Sequence, residues 1–145
     1  MTGIYWSSSL CHRRKGRSCL ANGKGRKGLR AAFLSSKDKR KRERVEWTAP
    51  DGETYEVEIV EPTSKQRGQI RRAAMKMKGD EIEFDQTALE VWAVIMCAHD
   101  PQTGEPVFDA ADYEALLEVG SRQLDVLARP AMRYLGNSPE VEAKN

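Results

Sequence analysis

Apolar and polar positions alternate strictly along the first half of the chain's central region. Val45 and Trp47 alternate with Arg44 and Glu46, and Tyr55, Val57 and Ile59 alternate with Glu56 and Glu58. Between them stands Pro50-Asp51-Gly52, a strong turn signal. A period of two around such a turn predicts a β-hairpin over 44–60 with one apolar face. Two strands alone are marginal in water, so Trp47, Tyr55, Val57 and Ile59 must pack against something.

Beyond the hairpin the period changes to that of a helix. Thr63 followed by Gln66 is a capping-box pattern after Pro62, and predicts a helix over about 63–77. Its stripe is thin: Gly68 interrupts it, and Ile70, Ala73, Ala74 and Met77 supply the apolar positions. Lys78-Gly79-Asp80 ends it, and Ile82 and Phe84 suggest a short extended piece. Asp85 then caps the strongest helical pattern, 86–99, with Leu89, Trp92, Met96 and His99 on one stripe and Ala88, Val91 and Ile95 beside it. So few of its positions are polar that this helix should be nearly surrounded and form the centre of the domain.

Pro101, Gly104 and Pro106 forbid helix in the connector 100–106. Asp109 and Asp112 give an acidic start, favourable to the helix dipole, to a helix over 109–119 whose Tyr113, Leu116 and Leu117 face inward. Gly120-Ser121 marks a break or cap. A last long pattern, 121–135, carries Leu124, Leu127, Ala128, Ala131 and Leu135, with Pro130 inside it as an expected kink or split. Gly136 is a natural C-cap, and Ser138-Pro139-Glu140 reads as a fresh helix start. The fold class is therefore α+β: a small hairpin packed on a mostly helical carboxyl-terminal domain of three to four helices.

Charge separates the rest of the chain from this domain. Residues 1–42 hold 13 Lys and Arg against one acid, net +12, whereas residues 43–145 hold 11 against 21, net −10. Residues 1–28 show no apolar period and read as a disordered basic arm, or equally as the product of an upstream start codon; 29–145 is the domain. Leu29, Ala31, Ala32, Phe33 and Leu34 suggest one or two helical turns. The longest apolar run, Val91 to Ala98, is far short of the ~20 residues that span a bilayer, and no signal peptide is apparent. Three cysteines without a C-x-x-C pair suit reduced thiols in the cytoplasm.

Candidate chemistry does not survive inspection. Gly23-Lys24-Gly25-Arg26-Lys27-Gly28 matches G-x-G-x-x-G literally, but no strand precedes it and its variable positions are Lys and Arg, so it reads as a basic loop. Cys11, His12 and Cys19 offer three of the four ligands a zinc site needs. His99 is better read as a cap on the carboxyl end of its helix than as a general base, and the acid pairs Glu81/Glu83 and Asp109/Asp112 as solvation and capping. No enzyme activity, metal or cofactor is expected. The basic arm suits salt-sensitive phosphate contacts, which makes a nucleic-acid-associated regulator the competing class. With only Tyr5 and Trp6 as aromatics before Phe33, it lacks a base-stacking platform.

The order of elements carries a resemblance. An LRAAFLSSKD opening, a hairpin ending in VEIVEPTSKQRGQI, an apolar helix, the D-x-x-T-G-x-P-V-F connector (Asp100–Phe108) and a paired-helix ending resemble the tail assembly chaperones of long-tailed bacteriophages, from Leu29 to Asn145. The basic arm, Gly120 and Pro130 depart from that pattern. The resemblance implies a transient host-cytoplasmic protein, absent from the finished virion. Such a protein coats the apolar tape measure protein and helps recruit tail tube subunits. It also implies a possible slippery site at Ala143-Lys144-Asn145 and a longer frameshifted form of the chain as a further partner; neither a membrane nor a nucleic acid is expected. Under this resemblance the partner groove is lined by Val107, Phe108, Tyr113, Leu116, Leu117, Leu124 and Leu127. The alternative for each is a plain core position against Trp92 and Ile95.

Overall fold

The computed structural model describes residues 25–136, which form a mixed α+β protein with five α-helices and two small antiparallel sheets. They belong to two units that part between Lys39 and Arg40. In the first, helix α1 (Gly25–Ser35) runs into a 3-10 turn (Ser36–Asp38). This corrects the sequence reading twice: Gly25–Gly28 is helical, not a loose loop, and the helix has three turns where one or two were expected from Leu29. Arg, Lys, Leu and Ala fill most of the segment and no β-branched residue or proline interrupts it, so its backbone preference is helical despite Gly28. The expected arm up to residue 24 and the helix start at Ser138 lie outside the described residues.

The second unit runs β1 (Arg42–Thr48), β2 (Thr54–Val60), α2 (Ser64–Ala74), β3 (Met75–Lys78), β4 (Glu81–Phe84), α3 (Gln86–Cys97), β5 (Ala98–His99), a 3-10 turn (Ala110–Asp112), α4 (Tyr113–Leu117) and α5 (Ser121–Tyr134). It begins at Arg40, whose guanidinium donates to the Glu61 carbonyl at 3.1 Å, while the Glu61 N–H donates to the Lys41 carbonyl at 2.8 Å and the Lys41 N–H to the Glu61 carboxylate at 3.0 Å.

The hairpin forms with Val45 opposite Val57 and Trp47 opposite Tyr55, its turn closed where Gly52 takes φ +93°. A third strand was not foreseen. β5 pairs with the free edge of β2, so β2 is central and its second half is buried on both faces. Glu58, 8% exposed, is the buried acid this creates, and Arg42 donates to it at 2.8 Å. The helix predicted to reach His99 ends at Cys97 for the same reason: Ala98 and His99 gain ladder partners in Ile59 and Glu58. His99 nevertheless keeps its ring Nδ1 2.9 Å from the Cys97 carbonyl at the end of α3.

α2 starts with the expected capping box, Gln66 N–H donating to Thr63 Oγ1 at 3.1 Å and Thr63 N–H to Gln66 Oε1 at 2.9 Å. It stops at Ala74, three residues earlier than predicted, because Met75–Lys78 pairs with Glu81–Phe84 as an antiparallel ribbon across Gly79, φ +67°. The helical spacing of Met77 was a coincidence of an alternating segment, MKMK, with the stripe before it.

α3 is the centre. It packs against α2, α4, α5 and β2, and Leu89, Val91, Val94 and Cys97 on it are fully buried with Ile59 and Ile70. Burial pushes the Cys97 thiol up to about 12, so it stays protonated and acts as a small apolar side chain. α5 is one helix through Pro130, so of the kink or split expected there the split does not occur. The lost N–H removes one helical bond, and burial of Ala128, Ala131, Met132 and Leu135 around it holds the segment in place. Among the described residues no helix is long and apolar enough to cross a membrane.

Asp85 joins ribbon and core. Its Oδ1 accepts from the Ala88 N–H at 3.1 Å, capping α3, and its Oδ2 lies 2.6 Å from Lys76 Nζ. The Lys76 ammonium first, and then the Ala88 amide, hold the carboxyl below the usual carboxylate range, and Asp85 in turn raises Lys76. The pair's stabilisation is therefore complete from above the ordinary carboxylate pKa up to the ordinary lysine pKa. It is lost as pH falls through the depressed Asp85 value or rises through the elevated Lys76 value. Asp85→Asn keeps the cap and loses the charge pair. In urea titrations it is expected to be less stable than the parent at neutral pH, with the gap narrowing as the solution is acidified below about pH 4. A gap independent of pH would show that the ion pair contributes nothing.

Candidate binding groove

The apolar face of the hairpin is not fully covered. Trp47 and Tyr55, whose ring centroids are 5.9 Å apart, leave β1 and β2 half-exposed and exposed, and the space beside them is an open groove of about 790 Å³. One wall is the hairpin: Trp47, Thr54, Tyr55, Glu56 and Val57. The other is the carboxyl-terminal helical pair, with Leu116 on α4, Val119 in the bend, and Gln123, Leu124 and Leu127 on α5. The connector Asp100–Phe108 closes one end with Asp100, Pro101, Gln102, Val107 and Phe108.

Backbone hydrogen bonding fixes that end. Asp100 N–H donates to the Glu105 carbonyl and Gly104 N–H to the Asp100 carbonyl, both at 2.8 Å, with Gly104 at φ +74° making the reversal. Val107 N–H donates to the Ala98 carbonyl at 3.0 Å, and Pro106 bridges His99, so the connector continues the sheet edge. Asp109 then caps the next turn through a box with Asp112, whose carboxylate accepts from the Asp109 N–H at 3.0 Å. Phe108, next to that cap, lines the groove and packs partly buried against the core. Across the groove the Trp47 indole donates to Gln123 Oε1, and Arg133 clasps Glu43 at 2.8 and 2.9 Å, pinning α5 to β1.

Five of the seven residues proposed from sequence line this groove: Val107, Phe108, Leu116, Leu124 and Leu127. Their depths differ. Leu116 and Leu124 are 7% and 9% exposed and form the floor as part of the core, whereas Val107 is 44% exposed at the rim. The other two are elsewhere. Tyr113 stacks on Trp92 with centroids 5.2 Å apart, which is packing of α4 on α3. Leu117 is not part of the groove lining and is 37% exposed. The hairpin wall was missed as a binding surface, although its signal was present: an aromatic pair on a strand face needs cover, and here the cover is partial.

The charged groups on the lining, Glu56 and Asp100, are both acidic. Tyr55 donates its phenol to Glu53 at 2.8 Å, and that bond holds the phenol pKa above its ordinary value, so the phenol stays neutral; Glu56 lies 3.8 Å from Arg44. No cluster of three or more His, Cys, Asp or Glu side chains that could hold a metal ion occurs among the described residues. The remaining polar side chains of the lining are amide, hydroxyl and indole. No protein-family model matches this sequence, and no curated protein or solved structure matches it.

Proposed function

We infer that this chain is a non-enzymatic chaperone that shelters an apolar, helix-forming segment of an elongated partner, as the resemblance to phage tail assembly chaperones suggests. The observation that carries this is the open groove itself. Its walls are apolar and partly exposed, the charged residues on its lining are acidic, and an apolar helical stripe is one ligand that such a groove takes. A tape measure protein supplies such a ligand, since its amphipathic stripes aggregate unless covered. The acidic residues on the lining favour segments whose apolar stripe is bordered by Lys and Arg, and the body's net charge of −10 over residues 43–145 keeps a coated assembly apart by self-repulsion. Recruitment of tail tube subunits, residence in the host cytoplasm and absence from the virion follow from the same proposal.

The test is co-expression of the full chain with a fragment of a tape measure protein from the same genome. The fragment is expected to be insoluble alone and to co-purify with the chain in soluble form. A fragment equally soluble without the chain, together with a salt-sensitive gel shift of nucleic acid by the chain, would replace this proposal with the regulator.

A further inference from the structure

The β3–β4 ribbon carries a second apolar surface, separate from the groove. Met75 faces Phe84 and Met77 faces Ile82 across the ribbon, so the four side chains share one face. They are 49%, 46%, 71% and 66% exposed respectively. The charged residues occupy the other face, where Lys76 faces Glu83 and Lys78 faces Glu81; Lys78 lies 3.9 Å from Glu83 and Lys76 2.6 Å from Asp85. A two-stranded ribbon of this size has no independent stability and needs a layer over its apolar side.

We propose that the layer is the same ribbon of a second copy, packed face to face about a two-fold axis. Three observations favour that occupant. The apolar face bears no charge that a copy of itself must repel, because every ionised side chain of the ribbon is on the far side. Pairing edge to edge is disfavoured: in a two-fold arrangement β3 against β3 sets Lys against Lys, and β4 against β4 sets Glu against Glu. Complete burial of the four side chains on both copies removes at most roughly 900 Å² from water, just under the ~1,000 Å² at which specific interfaces begin, which suits a weak association of two copies. The pairing is therefore closed and reversible, a dimer that grows with concentration rather than a permanent one. The two methionines, unbranched and adaptable, let two identical surfaces interdigitate without a pre-cut fit.

Sedimentation equilibrium of the full chain, from low micromolar to near-millimolar concentration, tests this. The average mass is expected to climb from that of one chain toward that of two. Ile82→Lys, which buries a charge in the paired faces, is expected to weaken association about tenfold or more. Glu81→Gln adds the same unit of charge on the opposite face and is expected to leave association unchanged. Circular dichroism confirms that each variant is folded; should Ile82→Lys lose its structure, the milder Met77→Gln serves the same comparison. A parent that stays monomeric throughout, or equal association by Ile82→Lys and Glu81→Gln, overturns the proposal. Loss only of a tape measure fragment, with dimerisation unchanged, overturns it too and assigns the face to the client.

Discussion

Leu89→Ala is expected to lower the unfolding free energy by about 2–5 kcal/mol, the range for a leucine truncated in a core that cannot collapse. Leu89 has no exposed surface, and its helix is enclosed by α2, α4, α5 and β2, so no neighbour is free to move into the space. Against a total stability of about 5–15 kcal/mol for a domain of this kind, that is a large share. Urea denaturation followed by tryptophan fluorescence measures it, since Trp92 is on the same helix. Leu117→Ala is the comparison. That leucine is 37% exposed on a five-residue helix, and its truncation is expected to cost about 1 kcal/mol or less. Equal losses from the two substitutions would mean that α3 is not the centre of the fold.

That α3 is central was legible in the sequence because almost nothing on it is polar, a pattern that only burial on most sides satisfies. The hairpin was equally legible, since Pro50-Asp51-Gly52 fixes the turn and the alternation fixes the face. Other elements were hidden for identifiable reasons. β5 is two residues long and exists only because β2 offers it an edge, a long-range fact that no local period records. The ribbon was masked by propensity: Met and Lys favour helix, and Met77 falls in register with Ile70, Ala73 and Ala74. Its own signal, MKMK and EIEF alternating about Gly79-Asp80, is a period of two that the preceding helix made easy to overlook. Pro130 does not split its helix, because the cost of one missing hydrogen bond is local while the packing that opposes it comes from elements far apart in sequence.

The groove was half legible for a related reason. Helical spacing located Leu116, Leu124 and Leu127, and the connector motif located Val107 and Phe108. Spacing does not tell which turn of α4 faces the hairpin, so Tyr113 and Leu117 were placed with them. Nor does it distinguish floor from rim. That distinction decides which substitution can test function, because a polar residue at Leu116 or Leu124 replaces buried core and unfolds the site along with its activity.

Val107→Asp combined with Val119→Asp is expected to abolish protection of the client while leaving the fold intact. Both side chains line the groove, and they are 44% and 41% exposed, so each change should alter stability by only about 0.5 kcal/mol. Their effect on a bound apolar helix is much larger. Two carboxylates then face a surface that cannot solvate them, and each must stay wet by keeping the client out or be buried without a partner. Recovery of soluble tape measure fragment in co-expression is expected to fall about tenfold or more, equivalent to at least ~1.4 kcal/mol of lost binding. Glu56→Lys reverses one of the two charges on the lining and should discriminate among clients. Segments flanked by Lys or Arg lose affinity, steeply so at low salt, while uncharged apolar segments are held as before. A double aspartate variant with parental circular dichroism and thermal midpoint that still solubilises the client would remove the groove from the mechanism, whatever the chain proves to bind elsewhere.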